Sequence, residues 1–292
     1  MLLYWARDQA PCLLSVSLEF LKPIFIQLGT VSQEGDPRKE SCFQMCKLTC
    51  CPTITFKSFT AIITIVDIVM FIVTLAFGMQ TGGRTEFLSP TIDTLVKFGG
   101  RTVYDIVARY QVWRFITPVF LHANFLHIFF NCFSQLIFGS QVEVMLGTKR
   151  FIVFYFLCAL GGNLFGGLFD KLLGVSVGAS TAIVGLLGIF IAFVIVNWNR
   201  LDTNMRCFMM CMVFFIILIN LVFSVGPSDG TSAVDNFGHL GGLLTGTFAG
   251  MFFIIPQGAA TLYEKRVKII GYCLTAFFFI LCSVLYYVIH KK

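Results

Sequence analysis

Serine, histidine and asparagine side chains that can support nucleophilic catalysis lie within the most apolar parts of this sequence. The chain has only four histidines, and three of them, His122, His127 and His239, lie in or at the ends of apolar runs. Asn131 follows His127 by four positions, so a helix places both side chains on one face. Ser180 begins another apolar run after a short glycine-containing segment. A serine hydroxyl becomes a nucleophile when an imidazole takes its proton, so these residues suggest a serine hydrolase.

The composition indicates that these residues belong to a polytopic membrane protein. Of 292 residues, 57% are hydrophobic and 12% are charged, which is about half the charged fraction of a soluble domain. The net charge of +6 is too small and too scattered to favour nucleic-acid binding. The high apolar content also excludes a disordered regulator.

Seven apolar runs are long enough to cross a bilayer as helices, which takes about 20 residues for a hydrocarbon core of about 30 Å. The predicted spans cover residues 59–79, 118–142, 151–169, 180–196, 208–225, 237–255 and 269–289. The sequence therefore predicts an all-α bundle of seven transmembrane helices. It divides into a cytoplasmic N-terminal segment (1–57), a six-helix core (58–256), and a final part (257–292) with a cytoplasmic loop, the seventh helix and a short tail.

The distribution of Lys and Arg predicts the orientation, because short cytoplasmic loops are enriched in these residues. Cations precede the first span and follow the second, fourth and sixth, which puts the N-terminus in the cytoplasm. The loop of residues 81–117 is an exception, because it carries five cations on the predicted outer side.

Ser180 and His239 are predicted to lie at the same depth in two parallel spans. Each lies 17 positions before a residue that marks the cytoplasmic edge, Asn197 or Pro256. At about 1.5 Å per residue, both lie about 25 Å above that edge. The sixth span also has small residues at intervals of four, which permit close approach of the fourth span: Gly238, Gly242, Gly246 and Gly250.

These positions predict a Ser180–His239 dyad rather than a triad. No carboxylate is evident as a third member, since Asp235 lies outside the sixth span and Asp67 lies in the first. Hydrolysis through a tetrahedral intermediate also needs donors for an oxyanion. His127, Asn131 and the backbone amide of Ser180 are candidates, the last helped by the positive end of its helix.

The sequence around these residues resembles the rhomboid family of intramembrane serine proteases. The matching stretches are Trp113-Arg114, His122-Ala-Asn-Phe-Leu-His127-Ile-Phe-Phe-Asn131, Gly178-Ala-Ser180, Asp235-Asn-Phe-Gly-His239-Leu-Gly-Gly242, and Glu143, Gly147 and Arg150 after the second span. Together they cover about residues 111–250 in the order typical of the family.

The resemblance implies an endopeptidase that cleaves single-span membrane proteins, with Ser180 as nucleophile and His239 as general base. It implies an oxyanion hole at His127, Asn131 and the Ser180 amide, with no metal and no organic cofactor. His122, Trp113, Arg114, Gly178 and Gly242 match accessory or structural positions. In this family, the loop corresponding to 81–117 is embedded in the membrane, which accounts for its cations. Membrane lipid is the other expected partner.

Two departures from the family pattern bear on activity. Thr181 replaces the glycine that usually follows the nucleophile, and Val184 stands where an aromatic ring usually stacks on the base. These keep open a second interpretation, an inactive rhomboid-like protein that binds transmembrane clients. A channel or transporter is a weaker third interpretation, since neither inverted repeats nor a polar pathway at the midplane is found.

Several of these residues also have simpler interpretations. His127 and Asn131 can serve as polar contacts between helices, Trp113 as an interfacial anchor and Arg114 as a lipid-headgroup contact. Asp67 receives no role.

Four cysteines cluster just before the first span: Cys42, Cys46, Cys50 and Cys51. Juxtamembrane cysteines are common palmitoylation sites, so lipidation ranks ahead of inert thiols and of a zinc site. The absence of a basic, acid-poor leader and the position of the extra helix at the C-terminal end favour the secretory pathway (Golgi, endosomal or plasma membrane) over mitochondria. The active site is expected to open to the luminal or extracellular side.

Overall fold

The structure is a computed structural model that describes residues 58–80, 87–224, 235–255 and 259–291. Throughout these ranges the architecture is helical, with two isolated β-bridges and no strand. The α-helices, numbered here in chain order, are α1 (Phe59–Phe77), α2 (Ile92–Lys97), α3 (Val103–Ala108), α4 (Phe125–Leu146), α5 (Thr148–Gly167), α6 (Ser180–Val196), α7 (Thr203–Ser224), α8 (Asn236–Phe253) and α9 (Leu262–His290). Two 3₁₀ turns, Val112–Phe115 and Thr117–Phe120, precede α4.

Four helices, α1, α4, α5 and α9, are long and apolar enough to cross a membrane, and α6 is a shorter apolar helix. Large apolar side chains cover their outer surfaces, as at Ile72 on α1, Phe129 on α4 and Phe277 on α9, which are all more than half exposed. A lipid environment suits such surfaces, which would be costly in water. The prediction of a polytopic helical bundle is thus confirmed, and the number of crossings stays a prediction.

Each predicted span lies on one long helix, but several ends differ. The predicted second span began at residue 118, whereas α4 begins at Phe125 because the Asn124 side chain caps its N-terminus. Residues 117–120 instead form a 3₁₀ turn that contains Pro118. The last helix begins at Leu262 rather than at residue 269, because Thr261 and Glu264 form a capping box at its polar N-terminal end.

The helix α6 lies at the centre of the bundle and packs most closely against α8. Added Cβ atoms at Gly242 and Gly246 would overlap the carbonyl oxygens of Thr181 and Gly185 on α6. At Gly250 an added Cβ would lie 2.6 Å from that of Ala192. The predicted small-residue stripe therefore brings two backbones into contact. Gly238 is the exception, since its neighbour is the Asp235 side chain.

Three cations of the predicted outer loop form ion pairs, and two of them, Arg101 and Arg114, are buried. Arg101 is fully buried and pairs with Asp170 and Asp235. Arg109 and Arg114 both pair with Asp105. These contacts explain how the loop carries cations while packing against the helices.

The N-terminal segment 1–57, including Cys42, Cys46, Cys50 and Cys51, lies outside the described residues. Its lipidation therefore stays a prediction, as do the three-part division of the chain and the orientation. Most of the loop after α7 also lies outside the described residues.

Candidate active site

Ser180 is the first residue of α6, and its backbone amide is available for a ligand. Ala179 stands at the N-cap position, and Gly178 before it has φ +131°, a conformation that favours glycine. The first N–H groups of a helix have no acceptor within the helix. The turn thus presents both the hydroxyl and the amide of Ser180 at the positive end of α6.

His239 lies in the first turn of α8, and its Nε2 is 2.7 Å from Oγ of Ser180. Both side chains are half-buried. The contact between α6 and α8 described above brings the two residues together. Their proximity agrees with the equal depths read from the sequence, and it has the geometry of a hydroxyl beside its proton acceptor.

Asp235, four residues before His239, does not serve as a third member. Its Oδ1 accepts from the amide of Gly238 at 2.7 Å, and its Oδ2 accepts from Arg101 at 2.6 Å. Burial alone raises the pKa of the Asp235 carboxyl, but the Arg101 guanidinium and the Gly238 amide outweigh burial and hold that pKa below its ordinary value. The carboxylate caps α8 rather than orienting the imidazole.

His127, on α4, lies beside Ser180. Its Nδ1 accepts from the amide of Ala123 at 3.3 Å, so the neutral ring carries its proton on Nε2. A Cβ atom at Gly178 would lie 2.7 Å from this Nε2 and 3.4 Å from Oγ of Ser180. The glycine therefore leaves room for an N–H donor next to the serine.

Asn131 follows one turn later on α4 and is 6% exposed. Its Nδ2 is buried and has no hydrogen-bond partner among the residues that the structure describes. A buried unpaired donor is costly, which makes this amide a candidate to bind an acceptor supplied by a ligand.

His122 is fully buried in the segment before α4. Its ring meets that of His127 edge to face, with centroids 5.3 Å apart. Neither of its ring nitrogens has a partner in the described parts of the chain. His122 thus packs behind the site rather than in it, which fits the accessory position suggested by the sequence.

Trp113 and Arg114 differ in their surroundings. Trp113 is 54% exposed, as expected of an interfacial side chain. Arg114 is only 6% exposed and donates to the carbonyls of Val96 and Gly100 at 2.8 and 2.6 Å. The interpretation of Arg114 as a lipid-headgroup contact is therefore wrong. This arginine satisfies backbone carbonyls inside its own loop.

Both departures from the family pattern are buried, and Oγ1 of Thr181 has no hydrogen-bond partner among the described residues. A Cβ at Gly162 of α5 would lie 2.8 Å from Cβ of Thr181, so the absence of a side chain there makes room for the threonine. Val184 is 6% exposed.

A polar cluster to which the sequence analysis gave no role joins α4 to α1 and α5. Nε2 of Gln135 donates to Oδ2 of Asp67 at 3.0 Å and to Thr64 at 3.1 Å. The hydroxyl of Tyr155 donates to Oε1 of Gln135 at 2.6 Å. Gln135 follows Asn131 by one turn and begins a π-helical turn, Gln135–Gly139. The sequence shows polar residues within three predicted spans, which was the available sign of such a cluster. It does not show which of them pair, because the partners are 20 to 71 positions apart.

Ser180, His239, His127 and Asn131 lie in a part of the chain that is similar to known proteins. Residues 109–256 match the family model of the rhomboid domain. The chain is 36% identical over 202 residues to rhomboid-like protease 1 of Toxoplasma gondii, an alignment covering 69% of this chain and 66% of that protein. It is 32% identical over 231 residues to rhomboid-like protease 2 of Toxoplasma gondii, covering 79% and 75%.

A third relative is RHOMBOID-like protein 6, mitochondrial, of Arabidopsis thaliana, 35% identical over 182 residues, covering 62% of this chain and 57% of that protein. The chain thus spans less than two thirds of the length of the first and third relatives, and more than two thirds of the second.

Proposed function

Because this chain belongs to the rhomboid family of polytopic membrane proteins, we propose that it is an intramembrane serine endopeptidase acting through a Ser180–His239 dyad. The observation that carries the proposal is the 2.7 Å distance between Oγ of Ser180 and Nε2 of His239. The half-buried state of both side chains at the same end of the bundle leaves the pair open to a peptide and to water.

In the first half of the proposed reaction, Oγ of Ser180 attacks the carbonyl carbon of the scissile peptide while Nε2 of His239 accepts the hydroxyl proton. The tetrahedral intermediate collapses as His239 donates this proton to the leaving amine. An acyl ester on Ser180 remains. Water then attacks the ester, with His239 again accepting and returning a proton, and the new carboxyl terminus is released.

Three donors are suited to the oxyanion that forms in both halves. The Ser180 amide lies at the start of α6, and the side-chain donors Nε2 of His127 and Nδ2 of Asn131 lie on α4. Gly178, just before α6, lies against His127. Such donors act most strongly where water is excluded and where they need not reorient during the reaction. The unpaired, buried Nδ2 of Asn131 is the observation that favours this role.

The proposed substrates are single-span membrane proteins, cut within or near the spanning segment. We place the N-terminus in the cytoplasm and the opening of the site on the luminal or extracellular side of a secretory-pathway membrane. One relative carries a mitochondrial name, so imaging of the tagged protein against both organelle markers is the direct test of this compartment.

The activity test uses purified protein in liposomes with a transmembrane substrate. Wild type should cleave it, and Ser180→Ala and His239→Ala should not. Ser140→Ala is a matched control, because Ser140 is a buried serine on α4 whose Oγ donates to the carbonyl of Ile137. Cleavage that persists in the Ser180 or His239 variant would refute the dyad.

A fluorophosphonate probe separates an unsuitable substrate from an inactive site. Labelling of wild type but not of Ser180→Ala supports an activated serine. Absence of both labelling and cleavage in folded wild type would favour the alternative function, a rhomboid-like protein that binds transmembrane clients.

A further inference from the structure

Arg101 is a fully buried arginine whose guanidinium joins three separate parts of the fold. Its Nε donates to Asp170 at 2.9 Å, one terminal nitrogen donates to Oδ1 of Asn163 at 2.9 Å, and the other donates to Asp235 at 2.6 Å. Asn163 is on α5, Asp170 follows α5, and Asp235 caps α8. A planar guanidinium sets the directions of its hydrogen bonds as well as supplying a positive charge.

The contact with Asp235 reaches the helix that carries His239. Besides its side-chain cap on Gly238, Asp235 accepts the amide of His239 on its own carbonyl oxygen at 2.9 Å. The position of Asp235 therefore sets where the first turn of α8 begins. The contact with Arg101 is thus linked through Asp235 to the turn that carries the imidazole.

The backbone of Arg101 reaches the segment that carries the nucleophile. Arg101 and Ser176 exchange two backbone hydrogen bonds, 2.9 and 3.0 Å long, four residues before Ser180. Oγ of Ser176 also donates to Oδ2 of Asp235 at 3.1 Å. One residue thus contacts the segments leading to both members of the dyad.

The bundle also leaves space for this ion pair. A Cβ atom at Gly166 of α5 would lie 2.8 Å from both carboxylate oxygens of Asp235 and 2.9 Å from the terminal nitrogen of Arg101. The pair therefore lies directly on the α5 backbone, where it has little freedom to shift.

We propose that Arg101 is a positioning residue, which holds His239 in register with Ser180 by fixing the N-terminal cap of α8 against the segment before α6. The inference rests on the proposed function, because it concerns the geometry of that dyad. Arg101 itself has no exposed surface through which it could contact a substrate.

The test compares two carboxylates that bind the same guanidinium. Asp235→Asn keeps the helix cap, since asparagine caps as well as aspartate, but it removes the ion pair with Arg101. Asp170→Asn is the matched control, because it removes the other carboxylate without touching α8. Arg101→Lys leaves Asp235 charged but replaces the fork by a point charge.

We expect Asp235→Asn and Arg101→Lys each to lower kcat by about 10-fold with little change in KM, since a misplacement of about 1 Å costs up to about 10²-fold. Asp170→Asn should keep kcat within about twofold, and the folded fraction of each variant is measured by thermal unfolding. A kcat that falls equally in both carboxylate variants would reduce Arg101 to a purely structural role.

Three further outcomes are decisive. If kcat falls in Asp235→Asn but stays at the wild-type value in Arg101→Lys, the loss of activity is due to the charge of Asp235. This result would overturn the role of Arg101. Fluorophosphonate labelling of wild type is measured in parallel. If folded wild type is neither labelled nor able to cleave the substrate, the proposed function fails. If wild type is labelled and the Arg101 and Asp235 variants cleave as fast as wild type, only the positioning role is rejected.

Discussion

Gly178 and His127 lie so close that a Cβ atom on the glycine would be 2.7 Å from Nε2 of the histidine. The same position has φ +131°, which other residues rarely adopt. Gly178→Ala should therefore displace the proposed donor from Ser180 and lower kcat by about 10²-fold. Peptide cleavage and thermal unfolding of the variant measure the two effects.

Gly147→Ala is the control for backbone strain alone. Gly147 also has positive φ, at +77°, but an added Cβ there has nothing within 4 Å. This variant should lose some stability and keep kcat. An equal loss of kcat in both variants would show that strain, rather than displacement of His127, causes the effect.

Asn131→Ala tests the proposed oxyanion hole. Loss of one preorganised donor elsewhere costs about 10² to 10³ in kcat, so we expect a loss of this size with little change in KM. Asn197→Ala is the comparison, because Asn197 is a buried asparagine at the other end of α6 and donates to the carbonyl of Phe193. Similar kcat losses in the two variants would argue against an oxyanion role.

Tyr155→Phe tests the cluster behind α4. Removal of the hydroxyl leaves Oε1 of Gln135 without this 2.6 Å bond inside the bundle. We expect a loss of about 1 to 3 kcal/mol in the free energy of unfolding, the cost of an unsatisfied buried group. Tyr287→Phe, at a 61% exposed site on α9, should change stability little. Wild-type stability of Tyr155→Phe would contradict the cluster's structural role.

The pairing of Asp235 with Arg101 predicts a stability that depends on pH. The pKa of Asp235 is lower in the folded protein than its ordinary value of 3.8. The resulting stabilisation is complete above the ordinary value and is lost as the pH falls through the lower folded value. Neighbouring Asp170 has a raised pKa, so it binds a proton first as the pH falls.

Thermal unfolding of wild type and Asp235→Asn, measured between about pH 7 and pH 3, checks this dependence. The difference in Tm between wild type and Asp235→Asn should stay constant down to about pH 5. It should narrow at pH values below the ordinary aspartate pKa. A difference that is constant across the whole range would mean that the Asp235 charge does not contribute.

The helical fold was predictable because long apolar runs have few other outcomes in a membrane. The closeness of Ser180 and His239 could also be anticipated, since equal depth in parallel spans and a stripe of glycines restrict where two side chains can meet. The start of α4 was missed, because the 3₁₀ turn around Pro118 continues the apolar pattern without belonging to the helix.

The roles of Arg101 and Gln135 could not be read from spacing. The side-chain partners of Arg101 are 62 to 134 positions away, and no local pattern indicates them. In the sequence analysis, Arg101 was one of five cations in a predicted outer loop, where the orientation rule expects few. The partner of Asp67 is 68 positions distant on another helix. Contacts of this kind follow from how the helices pack, which the periodicity of single segments does not specify.

The main-chain contact between Gly246 and Gly185 has a mechanical consequence. No compressible layer of side chains separates α6 from α8 there, so neither helix can slide or tilt much without atoms colliding. The segments of α6 and α8 around this contact therefore move together as one stiff body. A motion that opened the proposed site to a polypeptide substrate would therefore fall to the other helices, while these two segments keep their separation.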